Sequence, residues 1–160
     1  MNKLHLWALL VVLLIPVLFG CTSSTNISTE QVKIFKKSIQ ADHKQIEKFQ
    51  VKMSPAGIEF NYVMEGENAE SDMQEIFEKT KAFIQDPEFQ KDTIEGTYFE
   101  KYYKKDRIYP QMYVRFDLDG DEHTDRLYEA SYYQTPDVSS EAKRSLLDKY
   151  QTWSYMDYAK

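Results

Sequence analysis

An apolar run from Leu6 to Phe19 ends at Gly20 and at Cys21, the only cysteine among the 160 residues. The run follows Lys3, contains Pro16, and is shorter than the roughly 20 residues a membrane-spanning helix needs. A short basic start, an apolar middle and a small residue before the cut are the three parts of an export signal, so residues 1–20 are expected to be removed. An ordinary signal with an incidental cysteine, or an uncleaved helix, is the alternative. The consequence for the fold is strict. With one thiol there is no disulfide and no cysteine metal site, so the domain must be held by packing alone.

Leu18-Phe19-Gly20-Cys21 resembles the lipobox of bacterial lipoproteins. The resemblance implies that the Cys21 thiol is joined to diacylglycerol and that cleavage leaves Cys21 as the new N-terminus. The protein would then be lipid-anchored at the extracytoplasmic face of the cell membrane. A thiolate is nucleophilic enough to take the lipid, and acyl chains contribute about 0.8 kcal/mol per buried methylene, so two chains anchor durably. Thr22 to Thr29 is small and polar, which makes residues 21–29 a lipidated terminus and tether. Residues 30–160 then form a single domain close to the membrane.

The formal net charge is −6, and becomes one unit more negative when Lys3 is lost with the signal. An acidic exported chain is a poor partner for nucleic acid.

From Thr29, a candidate N-cap, Val32, Phe35, Ile39, Ile46, Phe49 and Met53 recur at spacings of three and four, with Asp42 in the same stripe. They predict one core-facing helix that Ser54-Pro55-Ala56-Gly57 stops; a coiled-coil seam would need more repeats. Lys33, Lys37, Lys44 and Lys48 would share another side of it, either as a solvated face or as a basic face against anionic head groups or wall polymer. Ile58 to Met64 alternates as a half-buried strand. Gly66-Glu67-Asn68 turns the chain, Ser71 and Gln74 have the form of a capping box, and Met73, Ile76, Phe77, Thr80, Phe83 and Ile84 give a second helix. Asp86-Pro87 opens a third, shorter one to about Thr93. Three aromatic and β-branched runs, Thr97 to Tyr103, Ile108 to Leu118 and Thr124 to Tyr133, predict an antiparallel meander, with Met112, Val114, Phe116 and Leu118 inward and Pro136 at its end. A last helix capped by Ser139 or Ser140 would carry Leu146, Leu147, Tyr150 and Trp153. The expected class is α+β: a small, mainly antiparallel sheet of three to four strands, with helices on one face.

Two groups of residues carry functional chemistry. Tyr98, Tyr102, Tyr113, Tyr128 and Tyr132 fall in the predicted meander, where phenols either line a surface for glycan or protein or simply suit half-buried strands. The stretch from Asp117 to Asp125 places acids at its first, third, fifth and ninth positions, a set of hard oxygens suited to Ca2+. Its spacing resembles the Asp-rich calcium loops between strands of integrin-type and related β-propeller repeats, although Glu122 stands where such loops carry glycine. That resemblance implies side-chain ligands from Asp117, Asp119, Asp121 and Asp125 and the backbone carbonyl of His123. The alternative is a two-residue hairpin turn at Asp119-Gly120, flanked by Leu118 and Asp121. Tyr128 occupies the position where an EF-hand needs a bidentate acid.

His43 is expected in the first helix among lysines, and no nucleophile elbow, zinc-protease or phosphate-loop motif is present. The expected function is non-catalytic: a membrane-proximal module, with calcium as a candidate stabiliser, that binds an envelope protein or wall polymer. A wall hydrolase with a carboxylate pair formed on folding, or a ligand-delivery lipoprotein for a transporter, are the alternatives.

Overall fold

The computed structural model describes residues 24–66, 69–135 and 137–159. The expected export signal, Cys21, the start of the expected tether, Glu67, Asn68 and Pro136 lie outside them. The protein is α+β, as the sequence predicts, but its sheet has six strands, all antiparallel except one pair, in the order of the chain. These are β1 (Thr25–Asn26), β2 (Ile46–Ser54), β3 (Gly57–Met64), β4 (Gln111–Asp117), β5 (Arg126–Ala130) and β6 (Ser154–Asp157). Helices α1 (Glu30–Asp42) and α2 (Ala69–Gln85) precede a continuous helical stretch: α3 (Pro87–Phe89), a π-helix (Gln90–Tyr98) and α4 (Phe99–Tyr102). A single turn, α5 (Glu141–Arg144), follows β5.

The first predicted helix ends at Asp42, and the second half of its stripe is strand β2. Phe49, Val51 and Met53 alternate inward, but the register slips between Ile46 and Lys48. This bulge adds one residue, so Ile46 and Phe49 fall three apart and imitate a helical period. Lys33 and Lys37 remain on α1, whereas Lys44 lies beyond its end and Lys48 lies in β2, so the four do not share a helix face. Ser54 to Gly57 stops no helix; it is the two-residue turn joining β2 to β3, in which Ser54 pairs with Gly57. The phenols of Tyr98 and Tyr103 both donate to the carbonyl of Pro55 and hold that turn, at 3.0 and 2.9 Å.

β1 shortens the tether. Thr25 pairs with Met53, Asn26 with Lys52, and the Ile27 amide donates to the Val51 carbonyl, so the chain is fixed to the sheet well before Thr29. Thr29 precedes α1 as expected, but its hydroxyl lies 2.9 Å from that of Thr93 and does not cap the helix.

β3 is the strand that the alternation predicts, with Ile58, Phe60, Tyr62 and Met64 all buried. Helix α2 is already running at Ala69, so Ser71 lies inside it rather than capping it. Asp86 does cap α3, accepting from the amides of Glu88 and Phe89, but the helical stretch continues through Tyr102. Thr97 to Tyr102 is therefore helical and not a strand, and Tyr103 lies just past the helix end. Tyr98, Phe99, Tyr102 and Tyr103 recur at helical spacing, and their rings pack on one another and on the β2–β3 turn. A three-stranded antiparallel meander exists, built instead from β4, β5 and β6. Met112, Val114 and Phe116 face the core, Leu118 is only half-buried, and Pro110 stands just before β4. The last helix stops after one turn. Lys149 and Tyr150 take left-handed backbone conformations (φ 57° and 60°), and the Tyr150 phenol is drawn under the sheet to the carbonyl of Pro110.

The core is an aromatic layer between the helices and one face of the sheet. Phe49, Tyr62 and Phe116 stack across three strands at 4.3 and 5.1 Å, while Phe35 and Phe83 pair from α1 and α2 at 4.2 Å. β3 with β4 is the one parallel pair among the described strands. Residues 65–110, with α2 to α4, cross over between them. Gly57 sits at that junction, where a β-carbon would collide with the carbonyl of Gln111 and come within 2.8 Å of the Tyr113 ring.

Candidate metal centre and the open sheet face

Asp117 ends β4 and Asp125 directly precedes β5, so residues 118–125 form one loop. Phe116 pairs with Arg126, and the Asp125 amide donates to the Phe116 carbonyl at 2.8 Å. Asp119-Gly120 is therefore not a two-residue hairpin turn. The loop is instead wound on its own carboxylates. Asp117 accepts from the amides of Gly120 and Glu122, at 2.7 and 3.0 Å, one on each oxygen. Asp119 accepts from the Asp121 amide at 3.2 Å, and Asp125 accepts from the Leu118 amide at 2.7 Å. Acids recur here because a short carboxylate is the side chain that best receives nearby backbone N–H groups.

Asp117, Asp119 and Asp125 bring one carboxylate oxygen each to within 4.8 Å of one another. Asp117 is buried, Asp125 half-buried and Asp119 exposed, which leaves the group open on one side. Three converging hard anions would supply part of a Ca2+ coordination sphere, to be completed by carbonyls and water. Asp121 does not join them. Its carboxylate accepts from the His123 amide at 2.8 Å and lies 3.2 Å from the His123 ring. That amide bond lowers the Asp121 pKa below the usual carboxylate range, and the Asp121 charge raises that of His123. Glu122 adopts φ 70°, the left-handed region that favours glycine. It is the position where the resembling calcium loops carry that residue.

The five tyrosines do not form one surface. Tyr98 is buried in the π-helix, and Tyr128 is buried on β5 with its ring stacked on Phe77 at 3.8 Å. Tyr102 donates to the Met53 carbonyl at 3.3 Å, and Tyr132 stacks on Tyr109 at 3.7 Å. Tyr113 is the member of the set that faces away from the helices, because Met112 and Val114 on either side of it point inward.

That outer face, which composition alone does not reveal, is polar. Lys48, Gln50, Lys52, Glu59, Asn61 and Arg115 share it across β2, β3 and β4, by the same alternation. Its hollow, about 340 Å³, is closed at one end by Glu122, His123 and Thr124 of the acidic loop. Arg115 spans the hollow, with its guanidinium 5.3 Å over the Tyr113 ring and its Nε 3.8 Å from Glu59. That Nε is buried and, among the described residues, has no hydrogen-bond partner.

His43 is not among lysines on an open face. It is buried at the end of α1, 3.8 Å from Asp72, 3.7 Å from Glu75 and 3.2 Å from the Lys79 amine. Buried Arg126, beside the acidic loop, ties β5 to β6 through Asp157 at 2.6 Å and to α2 through Glu70 at 3.0 Å.

No family model, curated protein or solved structure matches the chain. Among the described residues no helix is long and apolar enough to cross a membrane.

Proposed function

We propose that the protein is a lipoprotein held to the extracytoplasmic face of the membrane through Cys21. It would act without catalysis, binding a partner at the cell envelope on its outer sheet face. The observation that carries this is the polar hollow beside the acidic loop, in which the buried Arg115 Nε makes no hydrogen bond and has only a 3.8 Å ion pair with Glu59. A donor withdrawn from water without an acceptor is costly, and an incoming carbonyl, carboxylate or hydroxyl would relieve that cost. The ligand class that fits is an extended peptide segment of an envelope protein, or a wall polymer of similar polarity. Ca2+ on Asp117, Asp119 and Asp125 would hold one wall of the hollow in place.

Photo-crosslinkers placed at Asn61 and Tyr113 should capture a reproducible envelope partner, and Arg115→Ala should weaken that capture. Empty captures together with measurable wall hydrolysis would reverse the order in favour of a hydrolase. For the metal, calcium added to chelator-treated protein should raise the melting temperature. Occupancy at 100 times the dissociation constant corresponds to about 2.7 kcal/mol. Asp119→Ala should remove the rise, and an unchanged melting curve at millimolar calcium would exclude the site.

A further inference from the structure

We propose that the β1 edge of the sheet docks on anionic phospholipid head groups and so fixes how the domain sits on the membrane. This rests on the lipid-anchor reading of Cys21. Cys21 precedes Thr25 by four residues, so however the intervening chain runs, β1 begins within about 14 Å of the lipidated position. That edge is held close to the bilayer surface.

The fold gathers cations there from three separate parts of the chain. Lys33 and Lys36 come from α1 and, with Asn26 and Ser28, line a recess of about 210 Å³ beside β1. Lys52 is the register partner of Asn26 in β2. Lys101 arrives from α4 and donates to the Thr25 hydroxyl at 2.6 Å. Among the described residues, Lys33 is the one member of this set with a carboxylate within 4 Å, Glu30 at 3.7 Å. The residues around the recess carry two ammonium groups, an amide and a hydroxyl, and Lys52 flanks the same edge from the outer sheet face; these are donor types that a phosphodiester accepts from.

The charge of the whole chain makes the choice of edge decisive. From Ser24 to Ser54 there are six lysines, Lys33, Lys36, Lys37, Lys44, Lys48 and Lys52, against three acids, Glu30, Asp42 and Glu47, whereas the chain as a whole is at −6. Most of the remaining surface is therefore repelled by an anionic bilayer. Both effects decay over about 8–10 Å at physiological salt, a distance comparable with the reach of the four-residue link, so the β1 edge is the part of the domain that the anchor brings within their range.

The test uses the full chain, expressed with its own residues 1–20 in a bacterial host and purified from the membrane fraction or, failing that, from the soluble fraction, on vesicles of phosphatidylcholine alone or with phosphatidylglycerol. Lysine acylation is read residue by residue by mass spectrometry, and vesicle flotation reports anchoring. On the anionic vesicles, Lys33, Lys36, Lys52 and Lys101 should react several-fold more slowly, with the protection lost at about 0.5 M salt. Lys149, remote from this edge in the segment after α5, should be unchanged. Equal reactivity on both vesicles, with the protein still floating, overturns the docking and leaves the anchor standing. Protein that floats with neither overturns the anchor reading and the docking together. Protection by a soluble anionic wall polymer but not by phosphatidylglycerol overturns the lipid assignment in favour of that polymer.

Discussion

Tyr62→Ala is expected to lower the unfolding free energy by about 3–5 kcal/mol, the range for truncating a buried aromatic ring. Tyr62 lies at the centre of the aromatic layer, stacked on Phe49 on one side and Phe116 on the other, and is 1 % exposed. Removing the ring opens a cavity between Phe49 and Phe116, which the surrounding side chains fill only in part. Tyr62→Phe should cost much less, about 1 kcal/mol. The phenol lies 2.7 Å from the Thr80 hydroxyl, which in turn donates to the Ile76 carbonyl, so Thr80 keeps a partner when the phenol is gone. Urea unfolding of the two variants measures both. Equal losses would mean that the hydroxyl network, not the ring, holds the layer together.

Alkali should unfold the protein steeply. Burial pushes the phenols of Tyr62 and Tyr150 well above their ordinary range. Below about pH 10 both the folded and unfolded chains keep these protons, and the full stability is present. Above it the unfolded chain releases them while the folded chain does not, so stability falls as the pH climbs toward the folded-state pKa. Each retained proton corresponds to about 1.4 kcal/mol per pH unit, or roughly 3 kcal/mol per unit for the two together. Against a typical stability of about 5–15 kcal/mol, unfolding is expected within a few pH units above 10. Phenolate absorbance at 295 nm and far-ultraviolet circular dichroism should therefore change together, and Tyr150→Phe should make the transition shallower. Ionisation of all twelve tyrosines near pH 10 in a chain that keeps its circular dichroism would contradict this.

The α+β class and most of the sheet are legible where a strand runs without interruption. In β3 and β4 every second residue is apolar and buried, so the period of two survives. It fails in β2, where one bulge residue converts a strand spacing into a helical one, and where Val51 between Phe49 and Met53 is the telling residue. It fails again at Thr97 to Tyr103, where aromatic composition outweighs a spacing that is helical. Tyr150 has a spacing from Leu146 and Trp153 that fits a helix. Its backbone conformation and its bond to Pro110 depend on a strand 40 residues away, which local pattern cannot reveal. The acidic loop shows the same division. Its position between two strands follows from the flanking runs, and three of its four proposed aspartates converge. The exclusion of Asp121 depends on a turn with His123, and Arg115 emerges as a site residue only once β3 and β4 are aligned.

The parallel junction of β3 and β4 divides the assembly of the sheet into two unequal tasks. β2 with β3, and β4 with β5, are each closed by near neighbours in sequence, a kind of pairing that forms on the microsecond scale, whereas β1 is added across α1 and β6 across residues 131–153. Joining the two ribbons requires the crossover of residues 65–110 to be ordered first, a loop whose closure entropy must be met before any contact across the seam rewards it. Gly57 is the zipper's first tooth. Without a side chain it lets Gln111 approach at the end where parallel pairing begins, so the close fit of the two halves of the open face depends on a residue far from the acidic loop.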